Sequence, residues 1–94
     1  MGFGAEVITR RQNKIAKLFY EKAAFSESQS LSENMVLGSK EVNLRTLSLL
    51  LKEGVVIKSD KGYYIDQQKW KRFRHSLKRF FMIQFFRVDT YFEY

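Results

Sequence analysis

Seventeen lysines and arginines stand against ten carboxylates in this 94-residue chain, a formal net charge of +7. The densest basic run lies near the end. Lys69, Lys71, Arg72, Arg74, Lys78, Arg79 and Arg87 occur with no acidic residue among them. Trp70-Lys71-Arg72-Phe73-Arg74 and Lys78-Arg79-Phe80-Phe81 interleave those charges with rings. Cations that hold phosphate beside rings that stack on bases form a grip for single-stranded nucleic acid. The same pattern fits a basic amphipathic helix lying on an anionic membrane surface. The simplest reading buries the aromatics and lets the lysine and arginine heads reach water. On any of the three, so positive a chain is drawn towards polyanions.

Other chemistry is poorly supplied. His75 is the single histidine and has no neighbouring carboxylate to make it a base or a ligand. No cluster has metal-ligand spacing, no glycine-rich phosphate loop occurs, and no nucleophile stands beside a base. An enzyme is therefore not expected, nor a cofactor, a metal or a small-molecule substrate. The chain has no cysteine, which fits a reducing cytoplasm. Met1-Gly2-Phe3-Gly4-Ala5 lacks the basic and apolar regions of a signal peptide. The apolar cluster 80–86, broken by Gln84, is too short to span a bilayer. A soluble cytoplasmic protein with no membrane partner is the expectation.

The elements that must position these residues follow from periodicity and punctuation. Thr9-Arg10-Arg11-Gln12 reads as a capping box ahead of a helix over 10–24, with Ile15, Leu18, Phe19 and Ala23 at helical spacing. Two serine caps compete next, Ser26-x-x-Gln29 and Ser30-x-x-Glu33. The second is preferred and gives a short helix over 31–37, with Leu31, Met35 and Val36 towards the core. Ser39 then caps a leucine-rich helix over 40–53, which Gly54 stops in the left-handed conformation. Leu44, Leu47, Leu50 and Leu51 share its core face. Glu41, Arg45, Ser48 and Lys52 share the opposite face, with Leu49 beside them. Val55–Lys58 and Tyr63–Asp66 flank the turn Ser59-Asp60-Lys61-Gly62 as a β-hairpin.

Asp66 caps a fourth helix over 67–88, with Trp70, Phe73, Leu77, Phe80, Phe81 and Gln84 on one side. Near its end Phe81, Met82, Ile83, Phe85 and Phe86 make it apolar nearly all round. One packing face cannot hide them, so a homodimer interface is expected there. The aromatic tail 89–94 fits a strand, a helical extension or a segment packed on a partner. The whole is one domain, 1–94, with a core over 9–66. Its class is mainly α with a small β-hairpin (α+β).

From Leu31 to Asp66 the chain resembles a winged helix-turn-helix domain of the bacterial and archaeal regulator type. The resemblance rests on the Gly38-Ser39 turn, the Leu47/Leu50 pair before Gly54, and the strands Val55-Val56-Ile57 and Tyr63-Tyr64-Ile65. It implies three helices, a two-stranded wing and a long C-terminal helix. It also implies a sequence-specific, homodimeric transcription regulator on double-stranded DNA, with helix 40–53 in the major groove and hairpin 55–65 as the wing. By that resemblance Ser39 and Lys40 approach phosphate at a helix N-terminus, and Arg45, Ser48 and Lys52 face the groove. Arg45 is the one suited to a guanine edge. Lys58 and Lys61 reach flanking phosphate. Two residues depart from that pattern: Glu41 would repel phosphate, and Leu49 is apolar where a reader is commonly polar. Those departures, with the over-apolar helix 67–88, leave a protein-interaction or dimerisation adaptor as the alternative.

Overall fold

The computed structural model of the chain describes residues 3–76 and Arg79. Those residues are mainly helical with one antiparallel hairpin, an α+β arrangement. In chain order come α1 (Phe3–Glu21), a short 3₁₀ turn (Glu27–Gln29), α2 (Glu33–Leu37), α3 (Leu44–Lys52), β1 (Val56–Ser59), β2 (Gly62–Ile65) and α4 (Gln67–Arg74).

Helix α1 begins well before Thr9, which was expected to cap it. Instead the Thr9 hydroxyl donates back to the Ala5 carbonyl at 2.9 Å, inside the helix. The helix also ends early. The Ala24 amide donates to Phe19 O at 2.9 Å and the Ala23 amide to Tyr20 O at 3.1 Å, the paired bonds of a Schellman stop. Ala23 takes the left-handed position with φ of 54°. The same device closes α3, where Gly54 has φ of 77° and the Val55 amide donates to Leu50 O at 2.9 Å. A left-handed alanine costs about 1–2 kcal/mol of steric strain. Glycine relieves that strain while adding about 0.4–1 kcal/mol of unfolded-chain entropy. Ala23→Gly should therefore stabilise the domain by about 0.5–1 kcal/mol, read as a raised denaturant midpoint at unchanged slope.

Strand β2 is the hub. Its register with β1 pairs Val56 with Ile65, Ile57 with Tyr64, Lys58 with Tyr63 and Ser59 with Gly62. On its other edge, Leu31 and Tyr63 exchange two backbone bonds of 2.8 Å, and the Ile65 amide donates to Ala24 O at 2.9 Å. Both edges of β2 are thereby satisfied, so among the described residues an open strand edge is left to β1. Leu31 accordingly belongs to this bridge rather than to α2, which starts two residues later with Ser32 as its cap. The other serine pair, Ser26 to Gln29, forms the 3₁₀ turn.

Ile15 and Phe19 of α1, Leu47 and Leu50 of α3, Val56 and Ile65 of the hairpin, and Trp70 and Phe73 of α4 form one buried cluster with Val36 and Val55. Several expected core residues differ. Leu44 is 57% exposed, because α3 starts four residues later than expected and Thr46 takes the inward position, and Met35 is 46% exposed, because Val36 is the residue α2 turns inward. Helix α4 is capped by Asp66, whose carboxylate accepts from the Lys69 amide at 3.0 Å. Its helical run ends at Arg74, with His75 as its C-cap. The expected helix beyond Ser76, Arg79 apart, lies outside the described residues, as do the tail and the expected dimer residues Phe81, Met82, Ile83, Phe85 and Phe86.

Candidate nucleic-acid interface

Helix α3 carries the first set of candidate contacts. Its N-cap is Asn43, whose side-chain oxygen accepts from the Thr46 amide at 3.1 Å and the Thr46 hydroxyl at 3.2 Å. Thr46, Leu47 and Leu50 are buried, which turns Arg45, Ser48 and Lys52 outward as one exposed stripe. Those three stand where the periodicity places them. Leu49 is half-buried and packs on the core, so it does not interrupt that stripe. Glu41 sits 3.6 Å from the Lys14 ammonium of α1, and this contact offsets part of its charge.

Ser39 and Lys40 do not stand at a helix N-terminus. The Ser39 hydroxyl accepts from the Glu41 amide at 3.2 Å within the turn that leads to Asn43. Serine followed by a polar pair looks like a cap, but the backbone folds into a serine turn first. The signal for the true cap was an asparagine standing immediately before Leu44, where the leucine periodicity takes hold.

The hairpin carries the second set. Lys61 is exposed at the tip, where the Ser59 hydroxyl accepts its amide at 3.3 Å and donates to Gly62 O at 3.2 Å. Lys58 is less committed to a ligand. Its ammonium lies 3.9 Å from the Glu33 carboxylate and 5.8 Å from the Tyr63 ring centre. Both partners of that ion pair are more than half exposed, so it is a weak surface contact.

A third set joins Trp70, Lys71 and Arg74 of α4, part of the basic-aromatic run marked in the sequence, to residues of α1 that were read there mainly as a solvated face. Arg10, Lys14 and Lys17 follow one another at helical spacing along α1 and share a shallow depression with Asn13. Asn13 and Lys17 also line a second depression, together with Tyr20, Trp70 and Arg74. Tyr20, Trp70 and Arg74 continue into a third, flanked by Lys71 and His75. The Arg74 guanidinium lies over Trp70, 5.9 Å from the ring centre. Arg79 docks at the same place. Its guanidinium donates to Gln12 Oε1 at 3.2 Å, Asn13 Oδ1 at 3.2 Å and Arg74 O at 2.9 Å. Gln12 is fully buried and returns a bond to Arg79 O at 2.7 Å, instead of reaching back to Thr9. Burial, and then the charge of Arg74, lower the proton affinity of Arg79 below the ordinary value. A guanidinium nonetheless stays charged at any working pH.

Among the described residues no group of histidines and carboxylates has the arrangement of a metal site. No helix among them is long and apolar enough to cross a membrane. The chain matches no family model, no curated protein and no solved structure.

Proposed function

We propose that this protein is a winged-helix DNA-binding regulator that reads double-stranded DNA with α3 and steadies itself with the hairpin. The observation that carries the reading is the exposed stripe Arg45–Ser48–Lys52, backed by buried Leu47 and Leu50 and leading through Gly54 into a lysine-tipped hairpin. An α-helix fits the major groove, where arginine pairs with guanine at two atoms and lysine takes phosphate. The positive net charge assists the approach to DNA. A homodimer joined through 81–86 would place two α3 helices on successive grooves of a palindromic site. The chain without cysteine suits work in a reducing cytoplasm.

Fluorescence anisotropy against duplex DNA, titrated across salt, tests the reading. Binding should weaken steeply as salt rises. On a site selected from random duplexes, Arg45→Ala should cost about 1–3 kcal/mol and relax preference at one base pair per half-site. Lys58→Ala or Lys61→Ala should weaken all sequences alike and flatten the salt slope by about one unit. An unchanged cognate affinity in Arg45→Ala would remove α3 from the reading role.

A second reading, a protein-interaction adaptor, is favoured by Leu44, Met35 and Leu37, which are 57%, 46% and 41% exposed. Apolar side chains gathered into one exposed patch commonly mark docking surfaces. Failure to bind any duplex at low salt would select this reading.

A further inference from the structure

Among the described residues five cations, Arg10, Lys14, Lys17, Lys71 and Arg74, line the three adjoining depressions of α1 and α4 against one lining carboxylate, Glu6 at one end, and of the five Lys14 is paired with Glu41. Shared lining residues join the depressions into one trough: Asn13 and Lys17 link the first to the second, and Tyr20, Trp70 and Arg74 link the second to the third. Arg10 to Tyr20 alone spans about 15 Å at the helical rise of about 1.5 Å per residue, room for several nucleotides. Among the described residues Lys17 and Lys71 make no ion pair. At the inner end Tyr20 is 41% exposed, and its ring is held edge-on to Phe25 at 5.1 Å between centres.

We propose that this trough binds a single strand of nucleic acid, with phosphates along Lys17, Lys71 and Arg74 and a base stacked on Tyr20. The site is separate from α3 and does not depend on its role. Charge selects a polyanion, and the form of the site selects a strand. In a duplex the bases are already stacked inward and present no face to a ring in a concavity, whereas a strand can turn a base onto Tyr20. An anionic membrane would need a row of exposed apolar groups beneath the cations, and among the described residues Tyr20 is the one large apolar side chain exposed in the trough. Arg79 adds a further charge at the rim through Asn13 and the Arg74 carbonyl. Burial and, second to it, the charge of Arg74 lower the proton affinity of Arg79, and an anion in the trough would offset the Arg74–Arg79 repulsion.

The test uses the full chain and three variants of exposed residues: Lys17→Gln with Lys71→Gln, Tyr20→Leu, and Arg45→Gln with Lys52→Gln. Each is titrated into fluorescein-labelled oligothymidine, oligouridine and a duplex at one fixed salt, with thermal melts to establish folding. The trough variants should each lose about tenfold or more in affinity for the oligonucleotides while duplex binding falls far less. The α3 variant should show the reverse pattern. Comparison of the two oligonucleotides tells DNA from RNA as the strand bound. Oligonucleotide affinity unchanged in both trough variants overturns the proposal. It is equally overturned if Tyr20→Leu has no effect and the glutamine pair weakens strand and duplex alike, which describes a diffuse field. Loss of binding to phosphatidylserine vesicles in the same variants, with no oligothymidine or oligouridine bound by the parent, assigns the trough to a membrane instead. A duplex affinity indifferent to the α3 substitutions would sink the reading of α3 and leave the trough standing.

Discussion

Gly62→Ala should remove about 3–5 kcal/mol of stability, the sum of about 1–3 kcal/mol of backbone strain and about 2 kcal/mol of lost hydrogen bonding. Gly62 has φ of 141°, a conformation that residues with side chains rarely adopt, and a Cβ there would overlap the Leu31 carbonyl oxygen and crowd Ser32 Cα at 3.3 Å. Neither obstacle is a side chain able to swing away. Leu31 must move, which breaks its two 2.8 Å bonds to Tyr63 and exposes a leucine that is 6% accessible. A domain of this length holds on the order of 5–14 kcal/mol in total, so the loss is a large share of it. Thermal denaturation should show a fall of at least about 15 °C. A midpoint within a few degrees of the parent would mean that Leu31 does not press on the hairpin.

That contact also marks the limit of what the sequence displays. The stop of α3 was legible because glycine at position 54 announces a left-handed residue. The stop of α1 uses the same hydrogen bonds with alanine at position 23, and alanine announces nothing. Ala24 supports it by burial beside Phe19, a tertiary effect outside any local window. Thr9 and Ser39 misled for a related reason. A hydroxyl serves a cap, a backward bond within a helix or a turn with equal ease, and only the path of the backbone decides among them. Leu31 was read as helical since its apolar side chain points to the core in either conformation. Its pairing with Tyr63 joins positions distant in the chain.

The candidate site divides in the same way. Arg45, Ser48 and Lys52 were found because one helix supplies all three, and the leucines opposite them fix its rotation. The trough draws on α1 and α4, and its Gln12–Arg79 bonds span 67 positions. Within α1 the spacing of Arg10, Lys14 and Lys17 was visible, but a basic stripe is usually just a solvated face. It takes the neighbouring Trp70 and Arg74 to turn that stripe into one wall of a concavity.

Phe19 and Tyr20 turn this distinction into an expected result. They are adjacent aromatic residues of one helix, yet Phe19 is fully buried and Tyr20 is 41% exposed. Phe19→Ala should cost about 3–5 kcal/mol, from lost apolar transfer and the cavity left in the buried cluster to which Phe19 belongs. Tyr20→Ala should cost only about 0.5–1.5 kcal/mol, chiefly its edge-to-face contact with Phe25. Paired urea denaturation of the two variants should therefore separate them by about 2 kcal/mol or more at similar slope. Equal losses would show that α1 is rotated from the position described, and both the core and the trough would need to be redrawn. Unequal losses in the expected order leave Tyr20 variants folded, so that any fall in their affinity for a strand belongs to the surface of α1 rather than to a damaged core.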